Sequence, residues 1–149
     1  MGASHGRLGS IDRDSQRRFF AGGALYITLV EHPARMAAGV DVALAQFRPM
    51  YRRAAPWQAV NAAIAGLAGL AASLLTGEWA WALGGIAVWL VIPFTIVGIG
   101  PTNKKLLADE PPEAAEAEEL LGLWGRLHAL RSALGTFGLL VFLVQSQPV

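Results

Sequence analysis

Residues 54–103 read AAPWQAVNAAIAGLAGLAASLLTGEWAWALGGIAVWLVIPFTIVGIGPTN, and this stretch decides the fold. From Ala54 to Gly77 there are 24 residues without a charge; after Glu78, another 25 follow from Trp79 to Asn103. Each run exceeds the roughly 20 residues that cross a ~30 Å hydrocarbon core at ~1.5 Å per residue. The tight connection Thr76-Gly77-Glu78-Trp79 makes the two runs antiparallel neighbours. Two buried helices of a soluble bundle would each need a polar face, and neither run has one. Small residues recur four apart at Ala65, Gly69 and Ser73, and again at Ala62 and Gly66, a spacing that lets membrane helices approach closely. Trp57, Trp79 and Trp81 stand at the ends of the runs, where interfacial anchors belong.

Outward from this pair, a third uncharged stretch runs from Ser132 to Val149. It continues a helix that begins near Glu113, after Pro111-Pro112, with Glu113, Glu116, Glu118 and Glu119 complementing the positive end of the helix dipole. A helix over 113–145 is ~50 Å long, so its first part stands outside the bilayer or breaks near Gly122 or Gly125. Towards the N-terminus, the apolar stretch Phe19 to Val30 makes only ~18 Å of helix, too little to span. We therefore extend this helix from Phe19 to about Gly39, with Glu31, His32 and Arg35 facing the bundle interior or its interface. Pro33 frees the carbonyl of Leu29 and kinks it. Residues 1–18 (MGASHGRLGSIDRDSQRR) are polar and aperiodic, and are expected to be a disordered tail or a non-native start. The expected fold is all-α, a four-helix transmembrane bundle over 19–149 with helices at about 19–39, 56–76, 79–99 and 113–145. A short amphipathic segment, Asp41 to Tyr51, lies between the first two.

Composition agrees. The 149 residues suffice for one domain; 54% are hydrophobic and 15% charged, against roughly 25% charged in a typical soluble domain. A net charge of +1 lacks the basic surplus of a nucleic-acid binder. Having no cysteine excludes disulfides, thiolate metal sites and cysteine nucleophiles. Arg35, Arg48, Arg52, Arg53, Lys104, Lys105, Arg126 and Arg131 fall on one side of the bundle and no basic residue falls in the turn at Glu78. The positive-inside rule makes the basic side cytoplasmic, in a plasma or inner cell membrane. Four arginines of the tail (Arg7, Arg13, Arg17 and Arg18) oppose that assignment.

On the basic side the topology gathers His32, His128, Glu31, Arg35, Asn103, Lys104, Trp124 and Arg131. Trp124, His128 and Arg131 share one helical face, and Glu31 and Arg35 are four apart and able to pair. Ionisable groups at membrane depth suggest a site; the bland reading of Arg126, Arg131 and Lys104 is snorkelling to headgroups. Histidine is the usual general base near neutrality, and Arg, Lys and Asn donors beside it can stabilise an enolate or phenolate. No ligand-spaced motif points to a metal, and no phosphate loop or dinucleotide fingerprint is present.

Four ordered blocks then carry a family resemblance. They are Ala21 to Arg35 (AGGALYITLVEHPAR), Phe47 to Arg53 (FRPMYRR), Pro93-Phe94-Thr95 with Pro101 to Leu107 (PTNKKLL), and Trp124 to Arg131 (WGRLHALR). Together they resemble the anthrone-oxygenase-like family of small four-helix membrane proteins, over roughly residues 19–145. The resemblance implies a membrane-embedded oxygenase of flat, lipophilic aromatic substrates that works without a cofactor, because the substrate anion reduces oxygen directly. On that reading His128 or His32 is the base, Arg131, Lys104 and Asn103 stabilise the anion, Trp124 stacks on the substrate, and Glu31 with Arg35 orients His32. The expected partners are the lipid bilayer and a hydrophobic aromatic small molecule. A second reading stays open: a non-enzymatic scaffold or lipid-binding subunit whose polar cluster holds four helix ends together. A cavity beside Trp124 and the histidines favours the first reading, and a tightly packed cluster favours the second.

Overall fold

The computed structural model describes residues 22–147, so the tail 1–18 and the Phe19 start of the first helix lie outside the described residues. Four helices alternate in direction. Helix α1 covers residues 22–37 and contains a π-helical turn, Ile27–Glu31, followed by His32–Ala37. Helix α2 is Val40–Thr76, α3 is Trp79–Leu106 and α4 is Ala114–Gln145. The last three are long and apolar enough to cross a membrane, and the fold is the expected all-α membrane bundle. Their outer surfaces are apolar, with Leu74, Leu75 and Val97 more than 70% exposed, as lipid-facing side chains are.

The segment 41–51 is no separate piece. It forms the opening turns of α2, which runs unbroken through Pro49 and Pro56. The chain turns at Gly39 instead, whose φ of +99° suits a residue without a Cβ. Packing explains why the prolines do not end the helix: Ala43 and Phe47 are fully buried against Leu121 and Trp124 of α4. Nor does α4 break at Gly122 or Gly125. Gly125 serves as space rather than as a hinge, because a Cβ there would collide with the His32 imidazole.

Two apolar cores stack along the bundle. On the Gly77 side of the bundle's middle, Ala62 and Ala65 of α2, Val88 and Val91 of α3, and Phe142 of α4 pack together. Here the small residues do what their spacing predicts. A Cβ on Gly69 would lie 2.8 Å from Gly85 Cα, and one on Gly85 would lie 2.8 Å from Gly66 O. Trp57 and Trp79 face outward, but Trp81 is not an outward anchor: it stacks on Phe142 at 5.8 Å. At the opposite end a second core joins Ile27, Phe47, Ile99, Leu106, Leu121 and Trp124. The basic residues tie the helix ends there: Arg48 donates to the carbonyls of Leu106 and Ala108, and Lys105 pairs with Glu116 at 3.0 Å.

Candidate functional site

Between the two cores the four helices part around a cavity of about 320 Å³. Ile27 of α1 and Met50, Tyr51, Ala54 and Ala55 of α2 line it, facing Val91, Thr95 and Ile99 of α3 and Trp124, His128 and Arg131 of α4. Small alanines on α2 create the space. Pro56, Ala59 and Ile96 also belong to the wall and are exposed, so an apolar rim opens between α2 and α3 at the outer surface of the bundle.

Both π-turns bring a threonine to this centre. Each widened turn lies just ahead of a proline, Ile27–Glu31 before Pro33 and Thr95–Ile99 before Pro101. A proline cannot donate to the carbonyl four residues back, and a π-turn is one way a helix absorbs that loss. From the first turn, Thr28 Oγ1 lies 3.0 Å from His128 Nδ1 and 2.8 Å from Ser132 Oγ, and donates to Ala24 O at 3.0 Å. From the second, Thr95 Oγ1 accepts from Arg131 Nε at 2.9 Å and donates to Val91 O at 2.7 Å. Gln58 Oε1 accepts from Arg131 NH1 at 2.8 Å. Arg131 is thus buried and oriented by two neutral oxygens on two different helices.

His128 stacks on Trp124 with ring centroids 4.6 Å apart. Its Nδ1 faces the two hydroxyls, and the most complete pairing there has Nδ1–H donating to Thr28 while Thr28 donates to Ala24 O. That tautomer leaves the Nε2 lone pair on the opposite side of the ring, and the residue itself lines the cavity. Trp124 also contacts Phe47 edge-on at 5.1 Å, and Phe47 stacks on Tyr51 at 5.6 Å. A continuous aromatic wall therefore runs from α4 to α2.

The expected cluster divides at Trp124. His32 reaches the same indole, with centroids 5.3 Å apart, but is not in the cavity wall. Glu31 and Arg35 pair at 2.9 Å, Gln46 donates to the same Glu31 oxygen at 2.6 Å, and Arg35 lies near the rings of Phe47 and Trp124. His32 Nδ1, Arg35 Nε and NH1, and Gln46 Oε1 are buried there without a hydrogen bond among the described residues. Asn103 is buried behind the wall, accepting from Trp124 Nε1 at 2.9 Å and donating to Tyr51 Oη at 2.7 Å. Lys104 is exposed and is not brought into the cluster. Tyr51, Gln58, Thr28, Thr95 and Ser132 escaped the sequence reading. One signal was available: Tyr51 and Gln58, seven apart, fall on the same face of α2 as the alanines between them. Among the described residues, no three His, Cys, Asp or Glu side chains come together to hold a metal ion.

Neither a curated protein nor a solved structure matches the chain. The family model of the anthrone oxygenases matches residues 47–141, which include every α2, α3 and α4 residue of the cavity wall and exclude Glu31, His32 and Arg35. With more than half of its length matched, this chain belongs to the anthrone oxygenase family.

Proposed function

We propose that this membrane protein is a cofactor-independent oxygenase that takes a flat, lipophilic aromatic from the bilayer and oxidises its activated methylene with molecular oxygen. One observation supports the reading: an apolar cavity with an exposed apolar rim that has a histidine and a buried arginine among its lining residues. The methylene of an anthrone lies between two aryl rings and opposite a ketone, so removing its proton gives a delocalised anion. His128 Nε2 takes that proton, and the charge of Arg131 stabilises the aryloxide. The anion then reduces oxygen: a C–O bond forms at the former methylene carbon, the O–O bond breaks, and water leaves. One anthrone and one O2 become one quinone and one water. Trp124 supplies a wall against which the substrate rings lie.

Glu31, His32 and Arg35 have a different part in this reading. Their contacts join α1 to α2 and α4 behind Trp124, which is what a structural staple would do. The non-enzymatic reading thus describes one side of the indole, and the cavity the other.

The test is oxygen uptake and quinone formation by the purified protein in detergent, with the spontaneous oxidation of the anthrone subtracted. His128→Ala should lower the rate by about 10²–10⁴, whereas His32→Ala should retain most of it if the protein still folds. Wild-type turnover in folded His128→Ala would remove the base from the mechanism.

A further inference from the structure

We propose that the Tyr51 hydroxyl and the Arg131 guanidinium together form a binding site for one ring oxygen of the ligand, an aryl ketone or phenol oxygen that carries the charge of the aryloxide. The proposal rests on the cavity reading above and adds a second residue at the ring oxygen, Tyr51, and the orientation it gives the ligand.

The argument follows the hydrogens. An indole N–H can only donate, so Trp124 obliges Asn103 to present its oxygen, at 2.9 Å. The amide is thereby fixed, and its NH2 group must point the other way, where it donates to Tyr51 Oη at 2.7 Å. Tyr51 therefore accepts from Asn103, and its own proton must leave along another direction. The ring belongs to the cavity wall, and the hydroxyl donates to no protein group among the described residues. A phenol whose proton is turned towards an apolar cavity lacks an acceptor until a ligand supplies one, and an unmet donor in low dielectric is costly. Arg131 lines the same cavity, so its charge and the phenol face one ligand space. Gln58 and Thr95 accept hydrogen bonds from that guanidinium and orient it.

One donor hydrogen and one nearby positive charge suit a single oxygen that is neutral in the bound ketone and anionic after deprotonation. Asn103, on this account, never touches the ligand; it is a positioning residue that turns the Tyr51 proton into the cavity. In an anthrone the ketone oxygen and the methylene lie at opposite apices of the central ring. Anchoring the oxygen at Tyr51 and Arg131 thus determines which ring edge is offered to the rest of the wall, where His128 stands.

A coloured probe tests this without turnover. 1-Hydroxyanthraquinone changes its visible absorption on ionising, so its affinity and the pH at which it ionises when bound can both be read in detergent. Wild-type protein should bind the probe and lower its ionisation pH relative to the free dye. Tyr51→Phe, which keeps the ring that stacks on Phe47, should weaken binding of the ionised dye about tenfold, as loss of a hydrogen bond to a charged group does. Asn103→Leu should shift the ionisation in the same direction by less, because the hydroxyl remains but is no longer aimed. The exposed Tyr26→Phe should change neither reading. If the dye binds but Tyr51→Phe leaves both its affinity and its ionisation unchanged, the oxygen site is wrong while the cavity reading survives. If wild-type protein does not bind the dye, both fall.

Discussion

Around Gly66, Gly69, Gly84, Gly85 and Gly138 the helices meet backbone to backbone, whereas around Tyr51, Thr95, His128 and Arg131 side chains hold them apart. Three long helices build both regions, and α1 joins them only at the second, through Ile27 and Thr28. At the glycine seam there is no room for one added carbon, and the contact is van der Waals packing, the force left when lipid removes the hydrophobic drive between helices. At the cavity, buried polar groups are each given a partner from another helix: Arg131 by α2 and α3, His128 by α1, Trp124 by α3. The first region holds the bundle together, and the second uses the spacing that the first makes affordable in stability.

The difference can be broken most severely at the seam. Gly85→Val places new carbons against Gly66 O, the Leu70 amide and Gly69 Cα, all of them backbone. Backbone cannot rotate aside, so the helices must separate, at a cost of about 3 kcal/mol or more. Thermal unfolding in detergent should show a large fall in midpoint, or no folded protein. A midpoint close to wild type would mean that the seam is looser than its geometry.

Next in size is the ion pair behind Trp124. Glu31→Gln leaves the Arg35 guanidinium, 3% exposed, without its countercharge. Breaking a buried pair from one side costs about 3 kcal/mol because the remaining charge is stranded. Glu31→Leu combined with Arg35→Leu should restore much of the loss, since two apolar side chains replace the whole pair. The measurement is again the unfolding midpoint. If the double variant were worse than the single one, Arg35 would be held by its ring contacts rather than by Glu31.

A smaller effect is expected at the π-turns. Thr28→Val keeps the shape of the side chain and removes the hydroxyl that faces His128 Nδ1. Stability should fall by about 1–2 kcal/mol, as for one buried hydrogen bond left unmet. Oxygen uptake should fall with it, because the imidazole then loses the partner that fixes its tautomer. Stability lost with the rate unchanged would show that Ser132 alone holds the ring.

These two regions were not equally legible in the sequence. The α2 side of the seam was, because absent charge and small residues four apart can be read from the run itself, whereas Gly84, Gly85 and Gly138 on the facing helices were not singled out. The two uncharged stretches gave α2 and α3, and Ala62, Ala65, Gly66 and Gly69 are buried at their contact. The cavity was legible only through its charged and aromatic members, His128, Arg131 and Trp124. Thr28, Tyr51, Gln58 and Thr95 are neutral, and helices carry many such residues facing nothing in particular. For Thr28 and Thr95 the meaning depends on π-turns that rotate the face of a helix, and a prolyl residue announces a disturbance without specifying its form. Lys104 shows the converse error. Its charge and place in the chain suggested the cluster, yet neighbouring side chains on a helix point about 100° apart, so Asn103 is buried while Lys104 is exposed.

The smallest effect on stability is expected where added carbon atoms meet empty space. Ala55 lines the cavity, and Ala55→Leu adds three carbons on the face that the seam would not tolerate. Overpacking is destabilising because neighbours must shift from their rotamers; at a cavity of about 320 Å³ nothing need shift. The new methyl groups gain contacts with Val91 and Ile99 across the gap, so the unfolding midpoint should stay within about 1 kcal/mol of wild type, on either side. Binding of the anthraquinone probe should nevertheless be lost or much weakened, because the leucine takes volume that the flat rings need. Gly85→Val and Ala55→Leu thus add similar groups to one bundle and should separate stability from binding completely. Probe affinity unchanged in Ala55→Leu would show that the dye binds outside this cavity, and a collapse in stability would show that the alanines fill a contact rather than border a space.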